Sequence, residues 1–465
     1  MKKYIKFILP LITLTIVIIT IVSVLKLNIL PNKYLILFIS GETLLFLLSL
    51  LQLFKNKILK VIGILISIIT IILSIIGLKY SNETLNFFKN GFSNNMEIKK
   101  YNILVLKNSN YEKLEDLNNV GYLNNVIDKV DYLDEINIEE KIEYKTIKEL
   151  YEDLLNKKVQ SIIVEDSYIE LLEDDYEDIL VKAKIIYSFD ITNKITIEKT
   201  TELKPINIYI SGSDSRSGLV EANSRTDVNM IMTINPNTRE ILLTSIPRDY
   251  YVQLHGTTGY KDKLTHSGIY GINMSKQTIE DLFNIKIDYT IKVGFNSVID
   301  VVDLIGGIDI YSDKSFRTHC GDGGAEITYV QEGYNHFTGP QALSYARERY
   351  AYIEGDNHRI QNQQQVLEAI ITESFKSKNV IKKYGEFLDS FKNLYRTDIP
   401  DTIIKQYIKN QLDDNKAWTI EKQVVKGTGD SNITYSMPGM YLYVMIPDMS
   451  TVNKATENIN EVLNH

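Results

Sequence analysis

Apolar residues crowd the first eighty positions of the chain and thin out after them. Three runs stand out: Ile5 to Leu25, Tyr34 to Phe54 and Val61 to Leu78. Each is close to the roughly 20 residues that a helix needs to cross the hydrocarbon core of a bilayer. The first run lacks a small-residue cleavage site and two more runs follow it directly, so it reads as an anchor and not as a removed leader. Glu42 falls inside the second run, where a carboxylate must snorkel or pair; it is expected to be an end-of-helix residue.

After the apolar region, periods of two and of about 3.6 alternate. Between residues 100 and 195, Asn102 to Lys107, Gln160 to Glu165 and Ile185 to Ile191 read as strands, and Ile147 to Leu155 as a helix. This is a small α/β accessory domain with a solvated acidic face. Thr196 to Pro205 is polar, ends in proline and reads as a linker. Beyond it, Ile206 to Ile210, Val228 to Ile234 and Glu240 to Ile246 are predicted strands, the last two joined by the turn Asn235-Pro236-Asn237. Phe295 to Leu304, Gln341 to Arg347 and Gln361 to Phe375 have helical spacing. Residues 381–465 add a strand, Met440 to Ile446, and a closing helix, Ser450 to Leu463.

Charge sets the orientation. Lys2, Lys3 and Lys6 precede the first span, and Lys55, Lys57 and Lys60 lie between the second and third, whereas the remaining short loop holds Lys26 and Lys33. The lysine-richer side is cytoplasmic. The N-terminus is therefore expected inside and everything after Lys79 outside, where chemistry must use a substrate that carries its own activation. A net charge of -8 over 465 residues, without a basic run, argues against a nucleic-acid partner. The single cysteine, Cys320, excludes an internal disulfide and is expected to be buried.

Unusual polar residues gather at predicted element ends: Asp214, Arg216, Arg225 and Asp227; Arg248 and Asp249; Arg347, Glu348 and Arg349; then Asp356, His358, Arg359 and Gln363. A guanidinium fork matches phosphate oxygens two at a time. Carboxylates beside several such forks make sense where a divalent cation bridges protein and phosphate. Clamped, neutralised charge beside a positioned oxygen is the arrangement for phosphoryl transfer. Spacing alone leaves ordinary surface ion pairs as an equal reading, and Arg216 and Arg239 taken singly are better read that way. His255, His266 and His358 lack metal-ligand spacing and read as structural or rim residues.

The run Gly212 to Arg216, then Ser224-Arg-Thr-Asp227, Ser245-Ile-Pro-Arg-Asp249, Asp262-Lys-Leu-Thr-His266, Asp300 to Asp309 with its two glycines, Gly339 to Arg349, and Gly355 to Arg359 with Gln363 resembles the LytR-CpsA-Psr (LCP) family of cell-wall polymer ligases. The resemblance covers about residues 205–380, and the domain order is similar to capsule-type members. It implies an α/β fold: three N-terminal transmembrane helices over residues 1–80, the accessory domain over 100–195, and an LCP catalytic domain over 205–380, completed by 381–465, with a central mixed sheet flanked by helices. It implies a Mg²⁺-dependent phosphotransferase that moves a glycan phosphate from a polyprenyl-pyrophosphate-linked polymer, of teichoic acid or capsule type, onto peptidoglycan. Arg225, Arg248, Arg347, Arg349, Arg359 and Gln363 would contact the pyrophosphate, and Asp214 and Asp227 would hold Mg²⁺ and act with Arg248 in catalysis. The helix Phe295 to Leu304 is a candidate wall of an apolar lipid tunnel. Asn362 stands where many members carry arginine. The alternative is a non-catalytic lipid-glycan binding protein that regulates polymer length or export. A transcriptional role fits poorly with so little chain on the cytoplasmic side.

Overall fold

Three apolar helices open the chain: α1 (Lys2–Leu27), α2 (Asn32–Ser49) and α3 (Lys57–Gly91). The stretches Phe7–Leu27, Asn32–Leu53 and Lys57–Lys89 are long and apolar enough to cross a membrane. This computed structural model describes residues 2–91, 96–123, 136–166, 168–169, 179–194, 203–213, 223–321, 323–353, 355–376 and 395–465. Most of the expected linker, Thr196 to Pro205, lies outside the described residues.

At 1.5 Å rise per residue, α3 is roughly 50 Å long, well beyond the span Val61 to Leu78. Its last turns bury Phe87 and Phe88 against Leu27, Ile29 and Ile404. The helix interfaces carry polar links. Ser23 and Ser81 hydroxyls share a 2.7 Å bond, and Gln52 Nε2 donates to Ser67 Oγ at 2.8 Å. Such pairs hold helices together where lipid gives no hydrophobic drive. The same logic corrects the expectation for Glu42. It sits mid-helix in α2, buried, and accepts a 2.9 Å bond from Ser74 Oγ of α3. It pairs within the bundle instead of snorkelling to an end.

The accessory domain is a five-stranded sheet of β1 (Met96–Leu106), β2 (Asn119–Leu123), β3 (Glu140–Tyr144), β4 (Ser161–Glu165) and β5 (Ala183–Lys194), in the order β3-β2-β4-β1-β5. Helix α4 (Ile147–Leu155) covers one face, its N-terminus capped by Thr146, whose hydroxyl accepts from Glu149 N. Leu150, Tyr151 and Leu154 of α4 share one buried cluster with Ile269, Met437 and Leu442, so this domain is docked onto the following one through apolar side chains.

The following domain is built on a six-stranded mixed sheet. Its strands are β6 (Ile206–Ser213), β7 (Val228–Asn235), β8 (Glu240–Ile246), β9 (Tyr289–Gly294), β12 (Tyr395–Thr397) and β13 (Thr419–Val424), in the order β12-β9-β6-β7-β8-β13. β6-β7-β8 is an antiparallel meander; β9 runs parallel to β6 and β13 parallel to β8. Tyr209, Ile231 and Leu242 on one face pack on α5 (Ile272–Phe283) and α10 (Met449–Asn464). Ile208, Ile210, Met230 and Leu243 on the other meet Leu367 of α8 (Asp356–Lys376) and Ile403 of α9 (Asp401–Asp414). This is the expected α/β fold with helices on both sides of a mixed sheet.

A third cluster joins α6 (Phe295–Ile305), α7 (Gly339–Arg347) and α8 to the ribbon of β10 (Ile308–Ser312) and β11 (Gly333–Phe337). Val302 and Ile305 of α6 are buried there against Ile308, Phe337 and Ala342. This face of the candidate tunnel wall is filled by protein. The ribbon of β14 (Gly427–Ile433) and β15 (Tyr441–Pro447) completes the domain.

Candidate functional site

The meander fixes the first half of the site. Asn229 of β7 faces Ile246 of β8. Two residues back from Asn229 is Asp227, and two residues on from Ile246 is Arg248. The register therefore delivers the pair to one edge of the sheet, where Arg248 Nη1 donates to Asp227 Oδ1 at 2.6 Å. Asp227 N also donates to Gly212 O of β6 at 2.8 Å. A Cβ on Gly212 would stand 2.8 Å from Val228 Cβ, so the close strand approach requires glycine.

Buried polar residues hold this edge in shape. Thr226 Oγ1 sits within hydrogen-bond distance of Tyr209 OH, Ser211 Oγ and Asn229 Oδ1, at 3.1, 2.9 and 3.0 Å. The backbone of Thr265 bridges both strands, donating to Arg248 O at 2.8 Å and accepting from Thr226 N at 3.0 Å. Asp262, fully buried, anchors that segment: it accepts from Ser436 N at 2.8 Å and lies 2.7 Å from His266 Nδ1. The Asp262-Lys-Leu-Thr-His266 motif is thus a scaffold for Arg248, and His266 is structural as expected. His255 pairs with Asp281 at 2.7 Å, and His358 stacks on Tyr352.

The second half comes from α7, α8 and the loop between them. Thr338 and Gln341 form a reciprocal cap at the start of α7. The helix ends at Arg347, and Glu348 turns the chain into extended backbone. Glu348 is 1% exposed and accepts from His319 N, Tyr350 N and Ala351 N at 2.6, 2.6 and 2.9 Å. Burial pushes its carboxyl up; these backbone donors more than reverse that, and it titrates below the ordinary range. Glu348 is therefore the hub that arranges Arg347 and Arg349 around it. Arg349 Nη2 donates to Tyr350 OH at 2.8 Å. In the first turns of α8, Arg359 and Gln363 share a face at four-residue spacing.

These pieces enclose a cavity of about 300 Å³ lined by Asp227, Arg248, His319, Cys320, Arg347, Glu348, Arg349, Tyr350, Arg359 and Gln363. Of the candidate residues, Arg248, Asp227, Arg347, Arg349, Arg359 and Gln363 are brought together. Arg225 is outside the lining, though its guanidinium acts on Asp227. Burial pushes the Asp227 carboxyl up, and the guanidinium groups of Arg248, Arg225 and Arg359 outweigh it and hold the group below the carboxylate range. Asp214 and Arg216 lie outside the described residues. Four guanidinium groups against two carboxylates leave the lining two positive charges in surplus, suited to an anion held by forked contacts.

One expectation changes here. Cys320 is half-buried and lines the cavity, because its backbone oxygen accepts from Ser344 Oγ at 2.6 Å beside the site. Asn362 is fully buried: Nδ2 donates to Tyr345 O at 3.1 Å, and Oδ1 has no partner among the described residues. His319, Tyr350 and the hub role of Glu348 were not legible in the sequence. Only the placement of Glu348 between two candidate arginines hinted at it. Arg239 is a structural residue, paired with Asp414 at 2.6 Å and stacked over Trp418.

Among the described residues no group of three or more His, Cys, Asp or Glu stands ready to hold a metal ion. Mg²⁺ is satisfied by one or two carboxylates plus substrate phosphate oxygens. Asp227, a carboxylate facing the arginine-lined cavity, fits that requirement.

The LytR_cpsA_psr family matches residues 180–458. A Bacillus anthracis protein named polyisoprenyl-teichoic acid–peptidoglycan teichoic acid transferase TagU is 32% identical over 227 residues, covering 48% of this chain and 70% of that protein. Its Bacillus licheniformis namesake is 31% identical over 273 residues, covering 56% and 78%. The crystal structure of TagV from B. subtilis aligns with a TM-score of 0.46 and 26% identity, covering 57% of this chain and 99% of that one. On the extent of the family match and the identity to these relatives, the chain belongs to the LytR-CpsA-Psr family.

Proposed function

We propose that this protein is a membrane-anchored phosphotransferase that takes a polyprenyl-pyrophosphate-linked anionic glycopolymer, of teichoic acid or capsule type, and passes its glycan phosphate to a peptidoglycan hydroxyl outside the cell. The observation that carries this is the convergence of Arg248, Arg347, Arg349 and Arg359 with Gln363 on one cavity of about 300 Å³. The transferase names of the Bacillus relatives support the same reading.

In the proposed reaction an acceptor oxygen forms a bond to the phosphorus next to the glycan. The bond from that phosphorus to the bridging oxygen breaks, polyprenyl phosphate leaves, and the hydroxyl proton passes to solvent or a nearby carboxylate. The arginines stabilise the charge that builds on the leaving phosphate. Asp227, held below the carboxylate range, is a weak base, and its 2.6 Å bond to Arg248 makes it the group that aims that guanidinium. Asp227 would hold Mg²⁺, with Asp214 as its expected partner; when bound, the ion neutralises pyrophosphate charge. The lysine distribution supports a cytoplasmic N-terminus and an outer catalytic domain.

The test uses the full-length chain in detergent with a pyrophosphate-linked lipid and Mg²⁺, following release of polyprenyl phosphate. Turnover supports the reading. Tight lipid binding with no turnover across a range of acceptors would make the protein a lipid-glycan binding regulator instead.

A further inference from the structure

A second concavity, of about 610 Å³, opens between the β10–β11 ribbon and α8. Its character is unlike that of the arginine-lined cavity. Tyr311 and Tyr334 are cross-strand partners on the ribbon, so the register alone fixes them side by side. Their rings meet edge to face at 5.4 Å, yet Tyr334 is 82% and Tyr311 54% exposed. Two adjacent tyrosine rings left open to solvent in a groove mark a surface kept for contact. Across from them α8 presents Gln365, Glu368 and Thr372, and the ribbon adds His336, which pairs with Asp309 at 2.7 Å.

Open aromatic faces ringed by planar amide, carboxylate and imidazole groups suit a pyranose. The C–H side of a sugar ring lies on the aromatic face, and its hydroxyl groups need partners that both donate and accept. Charge narrows the class. Among the described residues lining the groove, the carboxylates of Asp309 and Glu368 stand against one lysine, Lys422, which already pairs with Glu368. That acidic surplus repels a polyphosphate chain and leaves a neutral glycan unopposed. The groove is also tied to the cavity. Gln363 lines the cavity and Glu368 the groove, about 7.5 Å apart along the axis of α8, and Tyr345 OH donates to Gln365 Oε1 at 2.6 Å between them.

We propose that this groove binds a neutral glycan strand and presents it to the cavity as the acceptor of the transfer. The word acceptor rests on the function proposed above; the glycan specificity rests on the groove alone.

The test titrates full-length protein in detergent with a hexamer of β-1,4-linked N-acetylglucosamine and, separately, with a glycerol phosphate oligomer, by calorimetry. The hexasaccharide is expected to bind. Tyr334→Ala and Tyr311→Ala, both on exposed rings and with unchanged thermal midpoints, each weaken it about tenfold, and Thr372→Trp, which fills the groove, abolishes it. In transfer assays Tyr334→Ala raises the acceptor KM. Absence of hexasaccharide binding, indifference to all three substitutions, or preference for the glycerol phosphate oligomer in the groove would overturn the proposal. If wild-type protein turns over the lipid but ignores the hexasaccharide, the groove assignment alone fails. If it binds the hexasaccharide through the tyrosines and never turns over the lipid, the transferase reading fails and the glycan site stands.

Discussion

Asp227 and Arg248 lie two residues beyond the cross-strand pair Asn229–Ile246, on opposite strands, and meet at 2.6 Å on the edge of the sheet. A bond set by strand register holds its guanidinium ready before any ligand arrives, which is how charge stabilisation avoids a reorganisation cost. Arg248→Ala is expected to slow release of polyprenyl phosphate by about a hundredfold or more. Arg248→Lys should recover only part, because an ammonium cannot serve Asp227 and phosphate with one fork. Equal turnover in wild type and Arg248→Ala would remove Arg248 from the mechanism.

The same pair sets a pH dependence. Asp227 titrates below its ordinary value of 3.8 in the folded protein. A group with a lowered folded pKa contributes stability that is fully present above the unfolded value and is lost as pH falls through the folded one. Wild type should therefore melt above Asp227→Asn at neutral pH, with a constant gap that narrows only below about pH 3.8. Thermal melts across pH would show it, and a gap already closing near pH 6 contradicts the sign.

Glu348 turns three backbone N–H groups toward itself between Arg347 and Arg349. Glu348→Ala strands those donors and should destabilise the domain by about 2–3 kcal/mol, with weaker binding of the pyrophosphate lipid. Glu348→Gln keeps one acceptor oxygen and should fall between. Denaturant unfolding together with lipid titration separates the two effects.

Asn362 offers a sharper contrast. Its Nδ2 donates to Tyr345 O and its Oδ1 is buried without a partner among the described residues. Asn362→Asp replaces a donor with a second acceptor facing a carbonyl and should cost about 2 kcal/mol in denaturant unfolding. A neutral result would contradict this reading of the Asn362 contacts.

Legibility tracked periodicity and motif order. The meander β6-β7-β8 and the helices α4, α7 and α8 were readable because apolar period is a local signal; six of the eight candidate site residues line one cavity, and they were drawn from motif order, since their spacing alone left surface ion pairs as an equal reading. β12 and β13 were not. Thr419-Ile-Glu-Lys-Gln-Val424 is a half-exposed edge strand whose charges mask its alternation, and Tyr395–Thr397 is only three residues long. Glu348 as hub, His319 and Cys320 at the cavity, and Glu42 paired to Ser74 all depend on contacts between distant segments, which no local pattern reports. The groove beside α8 escaped for the same reason: Tyr311 and Tyr334 become neighbours only through the ribbon register.

The proposed orientation makes a prediction independent of catalysis. Six lysines flank the proposed inner side, at Lys2, Lys3, Lys6, Lys55, Lys57 and Lys60, and two, Lys26 and Lys33, the outer short loop. Lysines near span ends are held back on the cytoplasmic face. Cys320 is the natural thiol, so a Cys320→Ser background carries single reporters. Asn56→Cys, in the loop between α2 and α3, should resist a membrane-impermeant maleimide in intact cells and react after lysis. Asn464→Cys, at the end of α10, should react in intact cells. The reverse pattern would place the arginine-lined cavity in the cytoplasm, where ATP is available and a lipid-borne activating group is unnecessary, and would remove the compartment argument for a pyrophosphate donor.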